Sequence, residues 1–502
     1  MDRGDRSRVT LEWPGRQFRP GGPVTTAGPG QARPTLKLEE TWGDGEVRVL
    51  QGAALSVAEA LLSEGLGGAI DTIYLDPPYI SQTTYSVETR LDGPADGRVF
   101  RATAYDDRWI GETGGLGAYL DMLAATLDAM VKLLSPKGSI WVHVDWRASY
   151  YVRILLDELL GRDAFLNEVV WKRAPNLGRQ AASSQFGRTL DTLVVYGKPK
   201  AKLTPPTRPE RIEPSAVKFD EEGRPFTSAP RGDYTDASIA KLDREGRVHR
   251  TKTGKVYIKY FLHKDAEGHF CRDRRVDALW TDIAPLRHAE LSEKTGYPTQ
   301  KPVALLERVI ASSSSPGSIV LDLFAGSGTT AMAAHRLGRK AIVGDAQSLA
   351  IGTIRSRLVR ERVGFRVERL TSGSQEPARL EHATATVKQV KHGHFEVSLE
   401  KPSEPALWAI DSYASSGPFG ATWSSVRVFG KKTVPCARST MTDREPQRVR
   451  AYMDDGTVLE WHSPRETKQL SLLGVSVAAE FAPPKPKAKA ARKARAKKGS
   501  TP

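Results

Sequence analysis

An apolar run, Val320-Leu321-Asp322-Leu323, breaks into Phe324-Ala325-Gly326-Ser327-Gly328, continues as a helical stretch from Thr329 to Leu337, and is followed by a second apolar run, Lys340 to Val343. A strand, a glycine turn, a helix and another strand in so short a span make a parallel βαβ unit, because a helical crossover brings the second strand back in the same direction. The same alternation fills the first third of the chain. Val47 to Leu50 and Thr72 to Leu75 read as strands around a helix from Val57 to Leu66. Tyr119 to Leu134 and Tyr150 to Leu160 carry helical spacing, and Ser139 to Val144 and Glu168 to Trp171 read as the strands that follow them. With Val303 to Ser312 and Leu349 to Val363 as further helices, the pattern specifies an α/β fold built on a parallel sheet.

The glycine turn has chemical consequences. Gly326 and Gly328 permit close backbone approach, and the free N–H groups where the helix starts suit a carboxylate or phosphate. Asp345 ends the next strand 19 positions after Gly326, placed to bind ribose hydroxyls. The third glycine of a dinucleotide pattern is missing, which favours a mononucleoside such as S-adenosylmethionine over a nicotinamide cofactor.

A second centre is Asp76-Pro77-Pro78-Tyr79 at the end of the strand Thr72 to Leu75. Two prolines fix φ and remove two N–H donors, so the chain leaves the strand in a rigid turn with carbonyls free to accept. Asp76, the Pro77 carbonyl and Tyr79 then surround a space suited to an exocyclic amine on a flat ring. Two acceptors take the amine's two hydrogens and Tyr79 stacks on the ring. Transfer from an in-line sulfonium methyl then needs positioning and charge stabilisation, without metal or covalent intermediate. The plain alternative is a turn that merely ends a strand.

Asp76-Pro77-Pro78-Tyr79 upstream of Phe324-Ala325-Gly326-Ser327-Gly328-Thr329-Thr330 resembles the amino-group DNA methyltransferases of the β-class, in which the catalytic motif precedes the cofactor motif. Tyr297-Pro298-Thr299-Gln300-Lys301-Pro302 is similar to that family's third signature, which borders the methionine end of the cofactor. Trp141 to Trp146 and Asn167 to Arg173 are further matches. The resemblance spans roughly Val47 to Leu358 and extends to the modification methylases of type III systems. It implies a Rossmann-like, twisted, mostly parallel sheet with helices on both faces. It also implies S-adenosylmethionine as donor and a target base flipped out of double-stranded DNA. The cofactor set is then Asp322, Phe324, Ala325, Gly326, Ser327, Gly328, Thr329, Thr330, Asp345, Thr299, Gln300, Lys301 and Pro302, and the catalytic set is Asp76, Pro77, Pro78 and Tyr79. Two positions depart from the family. Relatives of the type III group show Gly-Asp where this chain has Gly52-Ala53-Ala54, and His-Asp where it has Leu190-Asp191.

Domain boundaries follow composition. Residues 1–35, rich in Gly, Pro and Arg, read as a disordered lead-in. The catalytic half of the methyltransferase domain is 36–171, an inserted target-recognition region 172–280, and the cofactor half 281–370. A separate small β-rich accessory domain, 371–482, precedes a disordered basic tail, 483–502. Residues 199–232 hold seven prolines, too many for a continuous sheet or helix, and Val256 to Phe261 is the clearest strand of the insert. Basic and acidic side chains number 17 and 24 in residues 1–170, 23 and 14 in 171–280, 26 and 21 in 281–482, and 8 and 0 in the last 20. The net charge of +15 is therefore concentrated in the insert and the tail, where phosphate contacts are expected.

Cys271 and Cys436 stand 165 positions apart and build neither a disulfide framework nor a four-cysteine zinc site, and His392-Gly393-His394 has no ligand cluster beside it, so no metal is expected. No apolar run is long enough to span a membrane, which together with the cysteines points to a soluble, cytoplasmic protein. There is no phosphate-binding P-loop for ATP-driven translocation. These residues point to adenine-N6 methylation of DNA, in a restriction-modification system with a possible restriction subunit or as a solitary enzyme. Cytosine-N4 methylation, modification of RNA bases or protein glutamine, and a catalytically silent DNA-binding homologue are the alternatives. Oligomeric state and recognition sequence leave no signature.

Overall fold

Apolar side chains alternate sides along the central strands. Val320, Val343 and Val49 enter one buried cluster, while Leu321, Ile342 and Leu50 enter another, the period-two arrangement that sandwiches a sheet between two helical layers. The computed structural model describes residues 10–20, 33–43, 47–90, 99–109, 115–176, 184–251, 253–371, 381–402, 405–413, 416–427, 436–453 and 457–463. Met1 to Trp461 form one compact unit, and the remainder from His462 a second.

Within the first unit the chain lays down β1 (Thr35–Trp42), β2 (Val47–Gln51), α1 (Ala54–Ser63), β3 (Ile70–Leu75), α2 (Gly115–Leu133), β4 (Leu134–Val144), α3 (Ser149–Leu160), β5 (Phe165–Lys172) and β6 (Leu190–Gly197). It continues with β7 (Leu279–Trp280), α4 (Val303–Ser313), β8 (Ile319–Asp322), α5 (Thr329–Arg336), β9 (Lys340–Asp345), α6 (Ser348–Arg360), β10 (Phe365–Thr371) and β11 (Phe419–Ala421). These eleven strands form one sheet in the order β7-β5-β6-β4-β3-β8-β9-β2-β10-β1-β11. From β4 to β10 the neighbours are parallel. β6 runs antiparallel to both β4 and β5, and β1 antiparallel to β10.

Helices α1, α2 and α3 cover one face and α4, α5 and α6 the other. From β3 the chain crosses through α2 to β4 on one side, whereas from β8 it crosses through α5 to β9 on the other. The switch in direction opens a crevice between the carboxyl ends of β3 and β8, the place where such sheets bind ligands. Asp76-Pro77-Pro78-Tyr79 and the glycine turn both lie there.

Three sequence expectations change. Within the supposed lead-in, Leu11, Trp13 and Phe18 pack on the α1–α3 layer. Arg16, 8% exposed, pairs with Glu158 at 2.7 Å, and Asp121 accepts from the Gln17 and Phe18 N–H groups at 2.9 Å each. An arginine in a polar stretch signals solvent, yet here its guanidinium also satisfies the Leu11 and Phe18 carbonyls and is buried with its partners. Residues 1–9 and 21–32, like the tail 483–502, lie outside the described residues.

The insert also begins later than composition suggests. β6 belongs to the main sheet, with Leu193 to Tyr196 buried between β4 and β5. Within the insert, only the strands between Thr207 and Arg275 build separate modules, a four-stranded and a three-stranded sheet. Its prolines are accommodated in short strands, with Pro209 on an edge strand, Thr207–Arg211, and Pro225 and Pro230 at strand ends.

Finally, the β-rich segment after residue 371 is not a separate body as far as Trp461. β11 extends the main sheet by pairing with β1. Trp42 stacks on Phe365 at 5.4 Å and meets Tyr452 at 5.9 Å. The buried Glu40 carboxylate is held by Arg355 at 2.9 Å and by Arg450 at 3.4 Å, so charges from three distant segments neutralise one another inside the joint. Among the described residues no helix is long and apolar enough to cross a membrane.

Candidate active site

The two prolines end β3 as expected, and the turn they start is held from outside by Asp107. This carboxylate, 1% exposed, accepts from the N–H groups of Tyr79 at 3.2 Å, Ile80 at 3.1 Å and Ser81 at 2.7 Å. Ile80 and Gln82 sit at φ near +60°, costly for side-chain-bearing residues, and Asp107 binds the chain across that strain. Tyr119 donates to the Pro78 carbonyl at 2.9 Å. The Pro77 carbonyl accepts no hydrogen bond among the described residues.

Asp76 is occupied on both oxygens. One accepts the Tyr79 hydroxyl and the other is ion-paired with the Lys301 ammonium. Burial, and then the charge of Asp76, push the Tyr79 phenol well up, which keeps it a donor. The Lys301 ammonium also lies 5.4 Å from the Tyr79 ring centre. Behind Tyr79 stands His143, fully buried, with ring centroids 6.3 Å apart. His143 Nδ1 meets the Tyr74 hydroxyl at 2.8 Å and Nε2 meets Asp191 at 3.2 Å. Burial pushes the Asp191 carboxyl up, but His143, Lys301 and Arg173 outweigh it and hold the group below its ordinary value. The ionised Asp191 only accepts, so Nε2 carries a proton and donates to it. The imidazole is thus a packed, hydrogen-bonded support, and Asp191 of the divergent Leu190-Asp191 pair supplies its partner.

On the β8 side, Asp322 accepts from Phe324 N–H at 3.0 Å and from the Thr330 hydroxyl. Its burial pushes the carboxyl up to about 7. Asp345 accepts from Gly326 N–H at 3.0 Å and Gln347 N–H at 2.9 Å, and burial raises it as well. The glycines are needed for reasons internal to the protein. Gly326 at φ +48° faces Tyr297, 3.1 Å from where a Cβ would sit, and Gly328 at φ +74° faces Ile354 at 2.9 Å.

Ser327, Thr329 and Thr330 are buried and engaged internally. The Thr329 hydroxyl donates to the Lys301 carbonyl at 3.1 Å, and Arg357 donates to the Ser327 carbonyl at 3.2 Å and to Thr329 at 3.0 Å. The Gln300 carbonyl oxygen accepts from Thr295, and its amide donates to the Glu293 carbonyl at 2.8 Å. These hydroxyls and amides fix the glycine turn to the loop that carries Lys301.

One cavity of about 490 Å³ joins the two centres. Asp76 to Tyr79, Asp345, Thr299 to Lys301 and Phe324 to Ser327 all line it. Of the residues expected from sequence, Gly328 and Pro302 do not reach it. Ala53 and Ala54, at the turn where the sequence departs from the family pattern, do line it.

The N6/N4 DNA methylase family model matches residues 70–353, more than half of the chain. The chain belongs to this DNA methylase family. The matched stretch begins at β3, holds both centres and ends within α6. Among curated methylase relatives, the type II methyltransferase M.EcaI of Enterobacter cloacae is 27% identical over 57% of this chain and 64% of its own length. The StyLTI Mod subunit, from a type III restriction-modification enzyme of Salmonella typhimurium, is 24% identical over 73% of this chain and 63% of its own. The chain thus spans under two thirds of the length of these curated relatives. Among solved structures, the M1.HpyAVI–SAM complex aligns over 62% of this chain and 98% of its own at 18% identity, with a TM-score of 0.35.

Asp107, Trp109, Met122 and Thr126 belong to this candidate site and were not legible in sequence. Trp109, Met122 and Thr126 line the cavity, and Asp107 acts on backbone N–H groups, which no side-chain motif records.

Proposed function

We propose that this chain transfers a methyl group from S-adenosylmethionine to the N6 amine of adenine in double-stranded DNA, the target base being flipped into the cavity. The observation that carries the reading is the single cavity joining the Asp76 turn to the glycine turn and Asp345. S-Adenosylmethionine, when bound, supplies an electrophilic sulfonium methyl. The walls fit it: Asp76 already meets the charge of the one lysine, Lys301, which leaves the Asp322 and Asp345 carboxyl groups for a cationic donor. The second lone pairs of Asp345 suit ribose hydroxyls, and Phe324 with the Thr299 to Pro302 loop flanks the remainder.

Asp76 and the free Pro77 carbonyl accept the amine's two N–H groups and draw its lone pair out of the ring. Tyr79, backed by His143, stacks on the base. As nitrogen gains its methyl, the displaced proton leaves through Asp76 to water, with no metal required. Trp146, 45% exposed, follows β4 beside the site and stacks with Arg188 at 4.2 Å, a surface suited to bases and phosphates. The separate modules of the insert read as target recognition. Because type III relatives are named as subunits, we infer a restriction-modification setting, with a restriction subunit as partner, or solitary action in the cytoplasm.

Mass spectrometry of DNA incubated with the protein and labelled donor tests the reading. N6-methyladenine is expected. Methylcytosine alone would exclude the adenine assignment, and donor binding absent from calorimetry with DNA affinity intact would indicate a silent homologue.

A further inference from the structure

Behind the glycine turn lies a second cavity, of about 60 Å³, between α6 and the C-terminal β segment. Its walls include Arg357, Arg360 and Arg427 with Thr295, Thr353 and Ser356, and no carboxylate. Three guanidiniums around one small space repel one another unless an anion sits among them.

Two of the arginines, Arg357 and Arg360, are also short of acceptors. Arg357 is 4% exposed, yet only its Nη1 is bonded, to the Ser327 carbonyl and the Thr329 hydroxyl; no carboxylate pairs with it among the described residues. Burial depresses this guanidinium to about 10. Arg360 Nη2 is buried without a hydrogen-bond partner, and Glu361 reaches only the Nε of that residue, at 3.5 Å. Native proteins rarely leave buried donors unmet, so such a group calls for a ligand.

We propose that this cavity binds a phosphate group. A water needs about 10–15 Å³ of such space, so 60 Å³ takes a few waters or one tetrahedral oxyanion, and excludes a nucleoside. Phosphate offers oxygens enough for several guanidinium forks at once, which a carboxylate does not. The site is separate from the methyl-transfer cavity. Arg357 joins the two, since the same side chain holds the Ser327 carbonyl on the glycine turn. Free inorganic phosphate and the head of a phosphate monoester share this chemistry.

The full chain is titrated with inorganic phosphate and, separately, with glycerol 3-phosphate, against chloride at matched ionic strength, reading the melting temperature and calorimetric heat. A saturable rise in melting temperature is expected with phosphate, unaffected by saturating S-adenosylhomocysteine. Binding of both ligands assigns a monoester head; binding of inorganic phosphate alone assigns the free ion. The double variant Arg360→Met, Arg427→Met is expected to weaken binding at least ten-fold, with the single variant Arg360→Met as the measure should the double variant not fold. Absence of saturation beyond chloride, or unchanged affinity in the folded variant, overturns the site.

Discussion

The Lys301 ammonium is ion-paired with the Asp76 carboxylate across 225 positions of sequence, while the other Asp76 oxygen holds the Tyr79 hydroxyl. Both oxygens are thus filled before any base arrives, and an incoming amine must displace one donor. Asp76→Ala therefore removes the acceptor whose hydrogen bond strengthens as the nitrogen changes geometry. Turnover is expected to fall about 10²–10³-fold, the range for losing one such stabilising contact. Donor affinity measured by calorimetry is expected to change by less than about three-fold, because the glycine turn and Asp345 are held by hydrogen bonds that do not involve Asp76. Undiminished turnover would end the role given to Asp76.

Asp107 is the group on which the geometry of that turn depends. Replacing it by Ala leaves the Tyr79, Ile80 and Ser81 N–H groups without their acceptor. A loss of about 2–4 kcal/mol in urea unfolding is expected, from unsatisfied donors costing roughly 1–3 kcal/mol each with partial access to water. Activity is expected to fall with it. Asp107→Asn keeps one accepting oxygen and is expected to recover much of the stability; an Ala variant as stable as the parent would show that the turn holds itself.

The contrast between Asp76 and Asp107 shows what sequence carries. Strands and helices with a strong period were legible: Val256 to Phe261 matches residue for residue, and Lys340 to Val343 only lengthens to Asp345. The site halves were legible because Pro-Pro and Gly-x-Gly dictate backbone shape locally. Asp107 was not, since its partners are generic backbone groups 26 to 28 positions away. The burial of Glu40 between Arg355 and Arg450 was equally silent, because pairs 315 and 410 positions apart leave no local pattern, and the accessory segment therefore read as separate.

Asp322 gives the fold a pH signature. The folded carboxyl is pushed up to about 7 by burial from an ordinary 3.8, with Asp76 and Asp345 adding to the rise and Thr330 and Phe324 opposing it. Between those values the native state keeps the proton and the unfolded chain releases it, so stability from this group is greatest below the window and falls as pH rises through it. The full effect is on the order of 4 kcal/mol. Asp322→Asn stays neutral throughout. Its stability relative to the parent is expected to improve by roughly 2–3 kcal/mol between pH 5 and pH 8, read by urea unfolding. A difference independent of pH would mean that Asp322 ionises normally.

Trp146 and Arg188 separate the two kinds of grip on DNA. Many arginines of the insert are already matched by acids: Arg211 with Asp265, Arg224 with Asp220, Arg250 with Asp243, Arg272 with Glu210. The insert's count of 23 basic side chains therefore overstates what it offers to phosphates. Arg188 is exposed and rests on the Trp146 ring, at the end of the sheet where β4 finishes and β6 begins, the same end as Asp76. Arg188→Gln is expected to reduce the slope of log affinity against log salt by about one, as for a single phosphate contact. Trp146→Ala is expected to weaken binding by about 1–3 kcal/mol with the slope unchanged, the mark of lost stacking. Arg224→Gln, whose charge is internally matched, is expected to leave the slope alone. A slope that follows Arg224 and ignores Arg188 would move the DNA away from the β4 edge and onto the insert.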